Sequence, residues 1–215
     1  MQRRVKIAWD ISHLEFTIED HYYFSILKSS IKEAGVVVKE VHSFKDIIDY
    51  DVVVLNYPEK PFTRGEGALV KRYLEAGNRV IIVGYYNNED RIADTINSLS
   101  SHFGLFLRGD KVRDKLSNEN GDDLLVVTSR VFSYKDSVKQ VLFPCPASVI
   151  IEADLVKPIV LLENSTSPKS ETVIGAEAQV GKGKFILLGT CVFWDNFSIM
   201  KYSNLRFSLN LLTTN

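Results

Sequence analysis

Arg79–Asn88 reads RVIIVGYYNN, and its first half decides the fold class. Val80, Ile81, Ile82 and Val83 are β-branched with no polar alternation, the pattern of a strand covered by helices on both faces. The strand stops on Gly84 and delivers Tyr85, Tyr86, Asn87 and Asn88 to its carboxyl end. Upstream, Thr63 and Glu66 have capping-box spacing, Leu69, Val70, Tyr73 and Leu74 make one apolar helical face, and Gly77 supplies a left-handed stop. Downstream, the spacing predicts a helix capped by Asn88, with Glu89 and Asp90 in its first turn. Its apolar positions are Ile92, Ala93, Ile96, Leu99 and Phe103, and Gly104 ends it.

The same grammar repeats on the amino-terminal side. Val5 to Trp9 is a short apolar strand ending at Asp10. Thr17 and Asp20 then open a helix with Tyr23, Phe24, Leu27, Ile31 and Ala34 on its apolar face, closed by Gly35. Val36 to Val41 is the next strand, Phe44 to Ile48 a short segment, and Val52 to Leu55 a third buried strand leading into Asn56-Tyr57-Pro58. Parallel strands joined by helices imply right-handed crossovers and a cleft at the carboxyl edge of the sheet.

The last third differs. Ile159 to Leu162, Thr172 to Gln179 and Lys184 to Leu188 read as strands, and Val180-Gly181-Lys182-Gly183 as a hairpin turn. A phosphate loop is excluded there, because its first Gly position holds Ala176, its Ser/Thr position holds Gly183, and no helix follows. Ser203 is expected to cap a terminal helix bearing Leu205, Leu209 and Leu212. Between these parts, Arg108 to Asp123 is charged and rich in Asn and Gly, which predicts a solvated excursion. Leu124 to Ile151 reads as a connector with edge strands, since Pro144 and Pro146 do not suit a central one. The expectation is one α/β domain over residues 1–215: a flavodoxin-like three-layer sandwich with a mostly parallel central sheet, helices on both faces and an antiparallel carboxyl-terminal hairpin.

Composition narrows the function classes. A chain of 215 residues, 45% hydrophobic and 25% charged, has enough material for one substantial core. Net charge is −1 and no Lys/Arg stripe stands out, so nucleic acid is not an expected partner. The start MQRRVKIAWD lacks a secretory apolar region and no apolar run approaches a membrane span, which points to a cytoplasmic protein without membrane insertion. Cys145 and Cys191 lie far apart with neither disulfide nor metal spacing. The sequons at Asn164 and Asn196 need a secreted setting that the amino terminus does not suggest, and Arg108-Gly109-Asp110 reads as a polar turn.

The opening DISHLE (Asp10–Glu15), the Gly-Lys-Gly-Lys hairpin followed by FILLGTCVFWDN (Phe185–Asn196), and SNLRFSLNLL (Ser203–Leu212) together resemble the non-catalytic branch of the class I glutamine-amidotransferase-like superfamily. The similarity extends to an uncharacterised prokaryotic domain family, to GldG-type auxiliary domains of ABC transport systems, and to the amino-terminal domain of an intraflagellar-transport protein. Catalytic members carry a nucleophilic Cys in a Gly-x-Cys-x-Gly elbow after the central strand and a late His-x-Glu pair. Here the elbow is Gly84-Tyr85-Tyr86-Asn87-Asn88, with Tyr86 in the Cys place. The histidines are His13, His21, His42 and His102, all in the first half. The resemblance therefore implies no amidotransferase activity, and a tyrosine without a nearby activator is a poor nucleophile.

The loops after the parallel strands are expected to converge on one cleft: Asp10, His13 and Glu15; Asn56 and Tyr57; Gly84, Tyr85, Tyr86 and Asn87; Cys191, Trp194, Asp195 and Asn196. One imidazole between two carboxylates is chemically competent as a metal-ligand or acid/base set. The plainer reading is loop polarity, with Asp10 capping loop amides and His13 donating to a carboxylate. The rings stack on a ligand or pack over the sheet. No cofactor or metal is expected. The function read here is a non-catalytic domain binding a small molecule or a protein. The alternative is a hydrolase or isomerase using Asp10, His13 and Glu15, on a carbohydrate in view of a related branch resembling trehalose-utilisation proteins. A third reading is a homodimer whose exposed edge strand or aromatic surface is the functional contact.

Overall fold

The computed structural model describes residues 4–166 and 169–214, with the side chains of 163–170 left outside the description. Residues 1–3 of the amino-terminal reading, and the side chain of the Asn164 sequon, therefore lie outside it.

Five short strands form the parallel part of the sheet: β1 (Lys6–Asp10), β2 (Val37–Val41), β3 (Val52–Asn56), β4 (Arg79–Val83) and β12 (Gly183–Leu188). Two long antiparallel strands, β10 (Val156–Thr166) and β11 (Lys169–Val180), extend it, in the order β10-β11-β12-β4-β3-β1-β2. Arg79–Val83 is thus the middle strand, and all five of its residues are buried. It pairs in register with β3 on one side, Ile81 opposite Val54, and with β12 on the other, Ile81 opposite Ile186. Along the chain, β1 to β2 runs one way across the sheet and β3 to β4 the other. Right-handed connections then place α1 (His21–Glu33) and α2 (Arg64–Glu75) on opposite faces. α4 (Asn204–Thr213) packs beside α1, while α3 (Ile92–Ser100) shares the face of α2, where Gly67 lies under the His102 ring. The result is the flavodoxin-like three-layer sandwich expected.

The helix ends follow their local signals in two cases. Asp20 accepts from the Tyr22 and Tyr23 amides at the start of α1. At α2 the capping box closes reciprocally, Thr63 N donating to Glu66 Oε2 at 2.7 Å and Glu66 N to Thr63 Oγ1 at 3.3 Å.

Three expectations are corrected. Asn88 is not the cap of α3: residues 86–91 form a tight turn in which Asn87, Asn88, Asp90 and Arg91 all have positive φ, and Arg91 takes the cap position. Asn88 Oδ1 accepts instead from the Ala93 amide at 2.9 Å, so the side chain still satisfies an orphan donor, one turn later than expected. At α4, Ser203 occupies the cap position without bonding a helix amide. Its hydroxyl accepts from Lys139 N, and the deepest residues are Phe207, Leu211 and Leu212 rather than Leu205 and Leu209. Finally, Arg108 to Asp123 is largely exposed, as expected, but it is not loop throughout. It contains β6 (Asn118–Glu119) and the start of β7 (Asp122–Thr128), and it buries Val112 and Asp114.

The tie is polar: Asp110 accepts from Ser148 N and Oγ, both at 2.7 Å, and Asp110 O accepts from Asn87 N at 2.8 Å. The charged segment thus fastens the turn after β4 to the connector, which supplies β8 (Val141–Pro144), paired with β7, and β9 (Val149–Ile151), paired with β5 (Leu105–Leu107), the short strand that follows α3. Pro144 ends an outer strand of a small sheet, as its missing N–H requires.

Candidate functional site

Four carboxyl ends meet at one edge of the sheet, those of β1, β3, β4 and β12, flanking the point between β1 and β3 where strand order reverses. Open α/β sheets place ligands in such a crevice. A cavity of about 330 Å³ opens here, lined by Phe16, Tyr23, Phe24, Tyr57, Tyr85, Glu89, Asp90, Cys191, Val192 and Asp195.

Hydrogen bonds to two backbone carbonyls fix its rim. Trp9 Nε1 donates to Phe16 O at 2.8 Å and Phe16 N to Asn56 O at 3.2 Å, which pins the loop after β1 across the end of β3. Phe16 lies 5.3 Å from the Tyr57 ring and 6.0 Å from Tyr23, and Tyr57 lies 6.2 Å from Tyr85. The rings therefore form a chain around the mouth. Tyr57 Oη donates to Asp90 Oδ2 at 2.9 Å, and burial followed by that carboxylate raises the phenol well above its ordinary range. Burial raises Tyr85 likewise, and pushes the Cys191 thiol up to about 12. Cys191 therefore stays a thiol, not the thiolate that attacks substrates.

Asp195 is the titratable group of interest in the lining. Its Oδ1 accepts from the Phe197 and Ser198 amides, both at 3.0 Å, yet burial outweighs those bonds and raises the carboxyl to about 6. A carboxyl raised in the folded state holds its proton there more tightly than in the unfolded chain. The folded state accordingly loses stability as pH rises from the ordinary carboxylate range to about 6, and the loss is complete above that. Asp195→Asn keeps the accepting oxygen and removes the charge. It is expected to be more stable than the parent near neutral pH, by on the order of 1 kcal/mol after solvent screening, with the difference vanishing below about pH 4. Urea unfolding across that range measures it, and a variant no more stable at neutral pH would contradict the assignment.

Tyr57, Tyr85, Cys191 and Asp195 are thus sequence-expected residues that do meet in the cavity lining. Asp10, His13 and Glu15 do not line it. They form a separate cluster, with His13 1% exposed and Asp10 wholly buried. His13 Nδ1 lies 3.0 Å from Asp10 Oδ2, Ser12 Oγ donates to Asp10 Oδ1 at 2.9 Å, and His13 N donates to Glu15 Oε2 at 2.8 Å. The His13 ring stacks on Phe62 at 4.1 Å and meets Phe44 edge-on at 4.9 Å. Burial, and next the charge of Asp10, raises the Glu15 carboxyl far above its usual range.

The other expected residues buttress the cavity. Trp194 is fully buried between Trp9, at 5.5 Å, and Phe193, at 4.8 Å, and its Nε1 donates to Asn56 Oδ1 at 3.2 Å. Asn196 fastens the last loop to α1, donating to the carbonyls of His21 and Tyr22 and accepting from Ile26 N. Gly84 is a packing position, where a Cβ would collide with the Leu107 side chain. Tyr86 packs on Tyr85 with Lys111 over its face, and is not among the positive-φ residues, which begin in this turn at the exposed Asn87.

Phe16, Tyr23, Phe24, Glu89, Asp90 and Val192 line the cavity without having been expected there. Phe16 sits one residue past the DISHLE stretch, and Tyr23 looked like part of the helix core. Nothing in the periodicity distinguishes a ring at 36% exposure from a buried one.

Comparison with known proteins places the chain. No family profile matches it. It is 44% identical over 226 residues, covering 97% of this chain and 93% of the relative, to an uncharacterised protein of Aquifex aeolicus (strain VF5), and it belongs to the same family as that protein. In structure it is similar to the mmIFT52 N-terminal domain, with a TM-score of 0.81, 18% identity, and coverage of 97% of this chain and 98% of that one. A ThuA-like protein of Bacteroides uniformis ATCC 8492 superposes with a TM-score of 0.54 at 12% identity, covering 96% of this chain and 88% of that one. At those identities the two structures establish the shared fold. No helix among the described residues is long and apolar enough to cross a membrane.

Proposed function

We propose that the chain is a non-catalytic binding domain of the glutamine-amidotransferase-like fold, acting as one domain over residues 1–215 in a soluble cytoplasmic setting. Its carboxyl-edge cavity would take a small neutral or cationic ligand, or a side chain of a protein partner. The observation that carries this reading is the lining: five aromatic rings and the carboxylates of Glu89, Asp90 and Asp195, with no basic residue among them. Aromatic faces stack on apolar ligand faces and attract cations, and carboxylates accept from hydroxyl or ammonium groups. Anions gain nothing there.

Three facts weigh against catalysis. The resemblance puts Tyr86 in the nucleophile place, burial raises the Cys191 thiol to about 12, and Asp10, His13 and Glu15 are not among the residues lining the cavity. The hydrolase or isomerase alternative therefore loses its acid/base set. Tyr22 and Phe197, 65% and 55% exposed, lie 5.4 Å apart and extend the aromatic rim outward from Tyr23. That extension favours occupancy at this edge over a homodimer formed through β2 or β10.

Amide chemical-shift mapping with a panel of sugars, choline and arginine, phosphate and citrate tests the proposal. Neutral or cationic compounds are expected to shift Phe16, Tyr57, Tyr85 and Asp195, and Tyr57→Ala is expected to weaken that binding tenfold or more, about 1.4 kcal/mol. Tighter binding of phosphate or citrate, or shifts elsewhere, would contradict it. Turnover of nitrophenyl glycosides by the same protein would favour the hydrolase.

A further inference from the structure

The cluster that falls outside the cavity has an electrostatic problem of its own. Asp10 and Glu15 bring two carboxylates to one imidazole, and the side chains of His13 and Glu15 are 2% and 0% exposed. Buried like charges must be compensated, by a proton or by a cation. Two polar atoms here are buried without an aligned hydrogen-bond partner, Glu15 Oε1 and His13 Nε2, the second of them 3.4 Å from Glu66 Oε1. In a well-satisfied polar network such orphans call for an explanation.

We propose that Asp10, His13 and Glu15 form a closed structural site for a divalent transition cation, with Zn²⁺ the best match. One ligand atom from each of the three lies within 4.8 Å of the others. His13 Nδ1 is 3.0 Å from Asp10 Oδ2 and 4.0 Å from Glu15 Oε1. Tetrahedral Zn²⁺, with metal–ligand bonds near 2.1 Å, spaces its ligand atoms about 3.4 Å apart, so small side-chain shifts bring them onto one ion. A nitrogen and two carboxylates suit Zn²⁺ better than Mg²⁺ or Ca²⁺, which prefer oxygen shells and retained waters.

The surroundings fit the same role. Ligation through Nδ1 leaves Nε2 protonated, and Glu66 Oε1 lies 3.4 Å from it, out of hydrogen-bond alignment in this structure. A carboxylate behind a ligating histidine is the usual arrangement that fixes its tautomer. Ser12 Oγ, 3.0 Å from His13 Nδ1 and 2.9 Å from Asp10 Oδ1, can supply the fourth position. Phe62 and Phe44 wall the ring, which marks a structural site and not one open to substrate. The ion would clamp the loop from Asp10 to Phe16, and so hold one side of the cavity rim. This inference does not depend on what the cavity binds.

The test uses the full chain without a histidine tag. Metal content is measured on the purified protein by mass spectrometry, and the chelator-treated protein is then melted with and without 100 μM Zn²⁺, Mn²⁺ or Mg²⁺. Zn²⁺ is expected to raise Tm by roughly 5–10 °C, as an ion present at about a hundred times its Kd does for a chain of this size. Glu15→Gln preserves side-chain shape and removes one anionic ligand. It is expected to remain folded without metal and to lose most of the Zn²⁺-dependent rise, as is Asp10→Asn. Absence of any Zn²⁺-dependent rise in the parent overturns the proposal, and so does a rise that persists in Glu15→Gln. The first result would assign the compensation to a proton shared by Asp10 and Glu15, and the second would assign the ion to surface groups.

Discussion

Gly189→Ala is expected to lower stability by about 3–5 kcal/mol, or to prevent folding, although it adds a single methyl group. Gly189 ends the run of β12, where its amide donates to Ile174 O and its carbonyl accepts from Ala147 N, both at 2.9 Å. A Cβ there would drive into the Ala147 carbonyl oxygen, with the Ala147 amide nitrogen only 3.2 Å away. Backbone is not a flexible side chain that can swing aside. Relief requires separating the connector from the central sheet, which breaks the bond to Ala147 and disturbs Thr190, whose hydroxyl donates to Pro144 O at 2.6 Å. Overpacking ordinarily costs 1–3 kcal/mol, and a clash between two buried backbone segments belongs above that range. Guanidinium unfolding gives the value. A Tm within about 2 °C of the parent, less than 1 kcal/mol for a chain this long, would show the crossing to be looser than described.

The second large effect is Trp194→Ala, at roughly 3–5 kcal/mol. Trp194 is fully buried, joins Trp9 of β1 to Phe193, and donates to Asn56 at the end of β3. Truncation leaves a cavity and removes the Asn56 Oδ1 partner in a residue whose Nδ2 is already unpaired. Phe16, by contrast, is 42% exposed on the cavity rim, so Phe16→Ala should change stability by under about 1 kcal/mol. Paired unfolding curves separate the two roles. Equal costs for Trp194→Ala and Phe16→Ala would contradict the division between buttress and lining.

That division explains how far the chain could be read from its sequence. Elements with a local signature were legible: the uninterrupted Val80–Val83 run, the Thr63–Glu66 box, and the Gly181-Lys182 turn that joins β11 to β12. So was the edge of the sheet at which the cavity opens, since parallel strands send their loops to one end. Which side chains line the cavity was less legible, because lining and buttress come from the same loops. Asp195 and Asn196 are neighbours, yet one reaches the cavity while the other bonds α1.

The turn after β4 carries a local signal of its own. Asn87, Asn88 and Asp90 are the residue types that tolerate a left-handed backbone, and all three adopt it. Reading them as a turn would have moved the start of α3 to Ile92. The burial of Asp114 and Val112 had no such signal. It depends on Val112 N reaching Pro146 O at 3.0 Å and on Asp114 N reaching Asp123 O at 2.9 Å, partners set by the tertiary fold.

We place recognition in the aromatic cavity between the loops of β1, β3, β4 and β12, and not at Asp10, His13 and Glu15. A crystal structure of the protein soaked with the tightest-binding compound of the panel tests it most directly. Ligand density is expected against the Phe16 and Tyr57 rings with a polar group at Asp90 or Asp195, and the Asp10–His13–Glu15 cluster still closed beneath Phe62. Density held by His13 or Glu15, with the loop from Asp10 to Phe16 swung open, would contradict it and restore the catalytic reading.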